Sequence, residues 1–112
     1  MKLIDKKIKR KDLKKISLSN FGLLIKAVID INKEIIVVGG EMHADEEKYL
    51  LENGSKQTDL WGINLYPDLD VNNFIEFDSM INVRPSINNF SRGIENKEIQ
   101  KKIITIVNKL IS

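Results

Sequence analysis

Between residues 25 and 31 the side chains alternate: Ile25, Ala27, Ile29 and Ile31 fall on one side, Lys26, Val28 and Asp30 on the other. A period of two is the signature of a strand with one buried face. A little further on, "EIIVVGG" (34–40) is apolar almost throughout, which predicts a central strand. Asn32-Lys33 between the two runs predicts a hairpin turn, because asparagine tolerates positive φ. "LWGINLY" (60–66) predicts another strand, with Trp61, Ile63 and Leu65 inward and Pro67 closing it. "FIEFDSMINV" (74–83) predicts a further one. Ile75, Phe77, Ser79, Ile81 and Val83 share one of its faces, and Glu76, Asp78, Met80 and Asn82 the other. Residues 2–5 predict a short edge strand.

Elsewhere the period lengthens to that of a helix. Residues 10–20 place Leu13, Ile16 and Leu18 together, with Gly22 as terminator. Residues 45–53 predict a helix capped by Asp45, with Glu46 and Glu47 at the positive end of its dipole. Tyr49, Leu50 and Leu51 supply its apolar side, and Asn53-Gly54 stops it. Asn96 caps a last helix in which Ile99, Ile103, Ile106, Val107 and Leu110 form a stripe. The order (β)αββαββα predicts an α+β fold: a four- or five-stranded, mainly antiparallel sheet with three helices, packed by them on one side. Its second face is expected to gather Lys26, Asp30, Asn64, Glu76, Asp78 and Asn82. Residues 1–112 are expected to form a single compact domain.

Composition narrows the class. Hydrophobic residues make up 42% and charged residues 30%, as in ordinary globular domains. No apolar run approaches the roughly 18 residues of a membrane span, and the basic start lacks the apolar stretch of a secretory signal. With no cysteine, disulfides and thiolate metal sites are excluded, and a cytoplasmic location is expected. The net charge of +2 hides a segregation: residues 1–15 hold eight basic and two acidic side chains, residues 41–80 two basic and ten acidic. The basic start would suit phosphate backbones. Only three of the 18 basic residues are arginine, however, and the acidic middle repels a polyanion, so nucleic acid is disfavoured.

Candidate chemistry falls in three places. "GGEMHADEE" (39–47) holds the only histidine. Extended backbone would turn Glu41, His43 and Asp45 to one side, a set able to hold a divalent metal. Glu41 could instead orient His43 as a base. Asp78 could join if its strand comes near, and Ser79 could pair with His43 on the same condition. The plain alternative is a strand exit, a cap and an acidic first turn. Gly39-Gly40 is followed by four acidic residues within seven positions, which speaks against phosphate binding.

The leading candidate is "DSMINVRPSINNFSRG" (78–93). Arg84 and Arg92 could grip a small anion by paired hydrogen bonds, with Asn89, Asn82 and Asn64 beside them. The plain alternative pairs Arg84 with Asp78 or Glu76. Gly62, in mid-strand, marks a close approach by another backbone or a ligand. The first functional reading is therefore a binding module for a small anionic ligand or a protein partner, its site on strand 74–83 and loop 84–93. The second is a small metal-assisted hydrolase using His43, Glu41 and Asp78. The third is a self-associating structural protein, a homo-oligomer joined through an exposed strand edge and the apolar last helix.

The run "GGEMHADEEKYLLENGSKQTDLWGINLYPD", then "FIEFDSMINVRP" and a short Asn/Ser/Arg loop, resembles a family of small prokaryotic proteins catalogued as a domain of unknown function. The resemblance covers roughly residues 1–111. It implies no activity and transfers no role to any residue.

Overall fold

The computed structural model describes residues 1–19 and 24–112 of the chain. The expected terminator Gly22 and the inward side chain of Leu18 lie outside what is described. In chain order the elements are β1 (Lys2–Ile4), α1 (Arg10–Ser19), β2 (Ile25–Asp30), β3 (Ile35–Val38), α2 (His43–Glu52), β4 (Leu60–Leu65), β5 (Ile75–Glu76) and α3 (Lys97–Leu110). The five strands form one sheet in the order β1-β3-β2-β4-β5, with every neighbouring pair antiparallel. The order of elements and the α+β class are those expected. Among the described residues no helix is long and apolar enough to cross a membrane.

The registers explain where the core sits. Ala27 faces Val38 and Ile63 across the sheet, and Ile29 faces Ile36 and Trp61. These side chains form one apolar face, on which Leu13 of α1 and Ile103, Ile106, Val107 and Leu110 of α3 are buried. The stripe predicted for the last helix is thus its packed face. Asn96 accepts hydrogen bonds from the N–H groups of Glu98 and Ile99 and caps that helix as expected.

The second face departs from expectation, since helices cover both sides. β3 and β4 each run antiparallel to β2 and therefore parallel to one another, so the connection through α2 must pass over β2. It does so on the face opposite α1 and α3. There Leu50 of α2 closes a small cluster with Val28, Val37 and Leu60. Val28, in register with Val37 and Gly62, is the apolar residue on the polar side of the alternation. Leaving these buried apolar groups in water would cost about 25 cal/mol per Å².

Three local expectations are also revised. The hairpin turn takes its positive φ at Glu34 (57°), not at Asn32. The Asp30 carboxylate instead shapes the turn, accepting from the N–H groups of Asn32 and Lys33 at 2.9 Å each. Helix α2 starts at His43 with Met42 as an N-cap that makes no side-chain bond, so Asp45 is not the cap. The fifth strand spans two residues rather than ten. Ser79 accepts from the Ile81 N–H and starts a 3-10 turn over Met80–Asn82. Asn82 then completes the sheet with its side chain: Oδ1 accepts from Gly62 N–H at 2.8 Å and Nδ2 donates to Gly62 O at 2.9 Å. Gly62 is required there, because a Cβ would lie 2.5 Å from that of Ser79.

Candidate functional site

Helix α2 and the 79–82 turn flank the second face, and Ile81 of the turn packs against the cluster that Leu50 of the helix closes. Between them the polar row Lys26–Asn64–Glu76, in register across β2, β4 and β5, forms the floor of a hollow of about 490 Å³. Such a volume suits a small molecule. His43 enters from the start of α2, and Asp78 and Arg92 from the polar segment, with Met42 and Met80 at the mouth.

His43 places Nε2 2.9 Å from the Ile63 carbonyl oxygen. A carbonyl only accepts, so Nε2 carries the proton and the neutral ring keeps a lone pair on Nδ1. Burial lowers the His43 pKa below its ordinary 6.5, against opposing pulls from the Ile63 carbonyl and the Asn64 amide. Asn64 Nδ2 donates to Glu76 Oε1 at 2.9 Å and to the Asp78 carbonyl at 3.1 Å. Its Oδ1, by contrast, is buried and accepts no hydrogen bond among the described residues. Tyr66 donates its hydroxyl to the same Glu76 oxygen at 2.9 Å. Arg92 Nε donates to Asp78 Oδ1 at 2.6 Å, and Lys26 Nζ donates to Glu41 O at 2.9 Å. Ser79 lines the hollow too, its hydroxyl accepting from Ile81 N–H at 3.3 Å.

The candidates from sequence thus separate into three groups. His43, Asp78, Asn64 and Arg92 come together. Glu41 and Asp45 instead line a different hollow with Gly39 and Gly40. The trio Glu41, His43 and Asp45 does not converge because residues 43–45 are helical, and alternation by twos fails in a helix. Among the described residues no three His, Cys, Asp or Glu side chains are grouped to hold a metal ion.

Arg84, Asn82 and Asn89 are committed to the fold. The Arg84 guanidinium stacks on Trp61 at 4.4 Å and donates to the carbonyls of Gln57 and Leu60. Asn89 is buried and donates to the carbonyls of Asn82, Ser91 and Gly93. Their donated hydrogen bonds go to main-chain carbonyls, of Gln57 and Leu60 for Arg84, of Gly62 and Arg92 for Asn82, and of Asn82, Ser91 and Gly93 for Asn89.

Tyr66 escaped sequence reasoning altogether, Lys26 was expected on this face without a role, and Glu76 only as an alternative partner of Arg84. Only the pairing of β2, β4 and β5 brings them beside His43.

Glu46 lies in the first turn of α2 as expected, but its burial was not foreseen. It is fully buried, and its Oε2 accepts from Gly40 N–H at 2.9 Å. Burial pushes its pKa up to about 9, outweighing that bond and the Lys26 charge, so the group is a neutral acid at pH 7. Gly40 makes room for it, since a Cβ there would lie 2.7 Å from Glu46 Cγ.

Residues 2–110 match the family model described as "Protein of unknown function (DUF5674)". No curated protein and no solved structure matches the chain.

Proposed function

The chain belongs to the DUF5674 family, and from that premise we propose that it is a binding domain for a small polar molecule carrying an anionic group. The observation that carries this reading is the convergence of Lys26, His43, Asn64, Asp78 and Arg92 on one hollow of about 490 Å³. Arg92 and Lys26 supply the cations. Arg92 holds Asp78 through Nε alone, which leaves its outer fork for an incoming carboxylate or phosphate. Polar groups converging in a hollow of this size, with an apolar rim, are the ordinary makeup of a ligand site.

A second reading rests on His43. Its pinned tautomer offers Nδ1 as a base at neutral pH, so acid–base work on a bound ligand is what the hydrolase reading retains. The site does not support the three-ligand metal set of Glu41, His43 and Asp45.

Amide chemical shifts under titration with acetate, inorganic phosphate and 4-methylpentanoate test the anion reading. Changes should concentrate at residues 26, 43, 64 and 78–80, and Arg92→Ala should abolish them. Shifts scattered over the surface, or unchanged by Arg92→Ala, would refute it.

A further inference from the structure

The hollow leaves unused the charge on the other side of the sheet. Helices α1 and α3 both pack on the main core, through Leu13 from one and Ile103, Ile106, Val107 and Leu110 from the other. Their polar sides therefore turn away from the sheet together. A short parallel bridge joins the segments next to them. Ile8 N–H donates to the Leu110 carbonyl at 2.8 Å, and Ser112 N–H to the Ile8 carbonyl at 3.0 Å. The start of α1 thus lies beside the end of α3, and two basic stretches far apart in sequence become one surface. Residues 5–15 and 97–109 together hold eleven basic and three acidic side chains.

Most of this charge is free. Lys14 is paired with Asp68, Lys101 with Glu98 and Lys109 with Glu34. Arg10 lies over the Phe74 ring and donates to the Leu69 carbonyl. The other seven are lysines, Lys9, Lys11, Lys15, Lys97 and Lys102 among them. They are exposed and make no ion pair among the described residues. The acidic middle of the chain, which disfavours a polyanion when read along the sequence, is largely turned elsewhere by the fold. Four of its ten acidic residues lie in α2, on the opposite face, and Glu76 and Asp78 line the hollow there.

We infer that the α1–α3 face is a docking surface for double-stranded nucleic acid, held through its phosphate backbone. Lysine meets phosphate as a point charge, without the planar fork of arginine, so such binding is independent of sequence and sensitive to salt. The 14 residues of α3 span about 21 Å, a length that passes several phosphates of a duplex. Two features decide against other polyanions. Among the described side chains of α1 and α3, Ile104 is the one large apolar group exposed, at 40%, whereas a helix that docks on a bilayer inserts an apolar face. Neither helix contains an aromatic residue, so unpaired bases find no stacking platform.

Fluorescence anisotropy of a labelled DNA duplex of mixed sequence, titrated with the full chain, tests this surface. Affinity is expected to fall roughly a hundredfold between about 50 and about 200 mM salt, as for about four phosphate contacts. Lys11→Gln, Lys15→Gln and Lys102→Gln together should weaken binding at low salt at least about tenfold and reduce the salt slope by about three. The triple variant Lys33→Gln, Lys48→Gln and Lys56→Gln has the same net charge with the face intact, and should bind as wild type does. All six side chains are exposed, so both variants should melt with wild type. Equal losses in the two variants would overturn the docking surface and leave only attraction by net charge. It would also be overturned by no binding at low salt, by an affinity indifferent to salt, or by single strands bound more tightly than the duplex. Tighter binding to phosphatidylserine vesicles than to the duplex would replace the nucleic acid with a membrane.

Discussion

Two glycines and two titratable side chains decide most of the second face. Gly62 lies under the 79–82 turn, where a Cβ would meet Ser79 Cβ at 2.5 Å and Oγ at 2.6 Å. Gly62→Ala is therefore expected to destabilise by about 1–3 kcal/mol through overpacking. A thermal melt should show it, at about 4–8 °C per kcal/mol for a domain of this size. Glu46 carries a pH signature. Its folded pKa of about 9 stands above the ordinary 4.5, so between these values the folded state binds the extra proton. Stability then falls as pH rises through that window. Wild type should melt lower at pH 9 than at pH 6 by more than Glu46→Gln does, and equal slopes in the two proteins would contradict the buried neutral acid. His43 acts in the opposite sense. Its lowered pKa means that its contribution is present above 6.5 and lost as pH falls through the folded value. As the only histidine, it gives one set of ring resonances. These should titrate below 6.5 and report the Nε2–H tautomer at pH 7.

Among the elements, β5 is the instructive failure. The alternation over 74–83 describes a strand, yet pairing stops after Ile75–Glu76. Ser79 turns the chain, and the Asn82 amide takes over the hydrogen bonds to Gly62 that a longer strand would have made. The amide also donates to the Arg92 carbonyl at 3.0 Å, so one side chain ties the turn, the sheet and loop 84–93 together. Asn82→Ala would leave both buried groups of Gly62 unpaired, an expected loss of about 1–3 kcal/mol for each. Chemical denaturation measures the loss, and a change under about 0.5 kcal/mol, the ordinary range of surface substitutions, would mean that the amide is not the link. Helix α2 is held in a similar manner. His43 and Glu46, three residues apart on its inner face, reach the backbone of β4 and the end of β3 respectively, in place of an N-terminal side-chain cap.

Across the whole molecule, the sheet separates two jobs. One face carries the main core under α1 and α3, and the other carries the hollow beside α2. The charge segregation follows the same division. The basic start runs into α1, and five of the ten acidic residues of 41–80 lie in α2 and β5. The sheet's outer strands are short: β1 has three residues and β5 two. Short edges are poor templates for strand addition. Light scattering is therefore expected to report a monomer, and a concentration-dependent dimer would revive the self-associating reading.

What was legible from sequence is what short-range physics specifies. Alternation in β2, the stripe and Asn96 cap of α3, and the Asn53-Gly54 stop of α2 depend on neighbours within about a turn of helix or a pair of strand residues. Gly62 also announced a close approach, without saying by what. The site was legible only in part. His43, Asp78, Asn64 and Arg92 were named, but for different sites, and Arg84, Asn82 and Asn89 were named for chemistry although their donors hold the backbone. Glu46 was read only as an acid of the first helical turn, because burial is a property of packing, not of a residue's neighbours in sequence. The hollow joins residues as far apart as Lys26 and Arg92. It exists because β2 pairs with β4, and because α2 must cross β2 to connect two parallel strands. Those long-range choices of register and crossover brought the polar groups together.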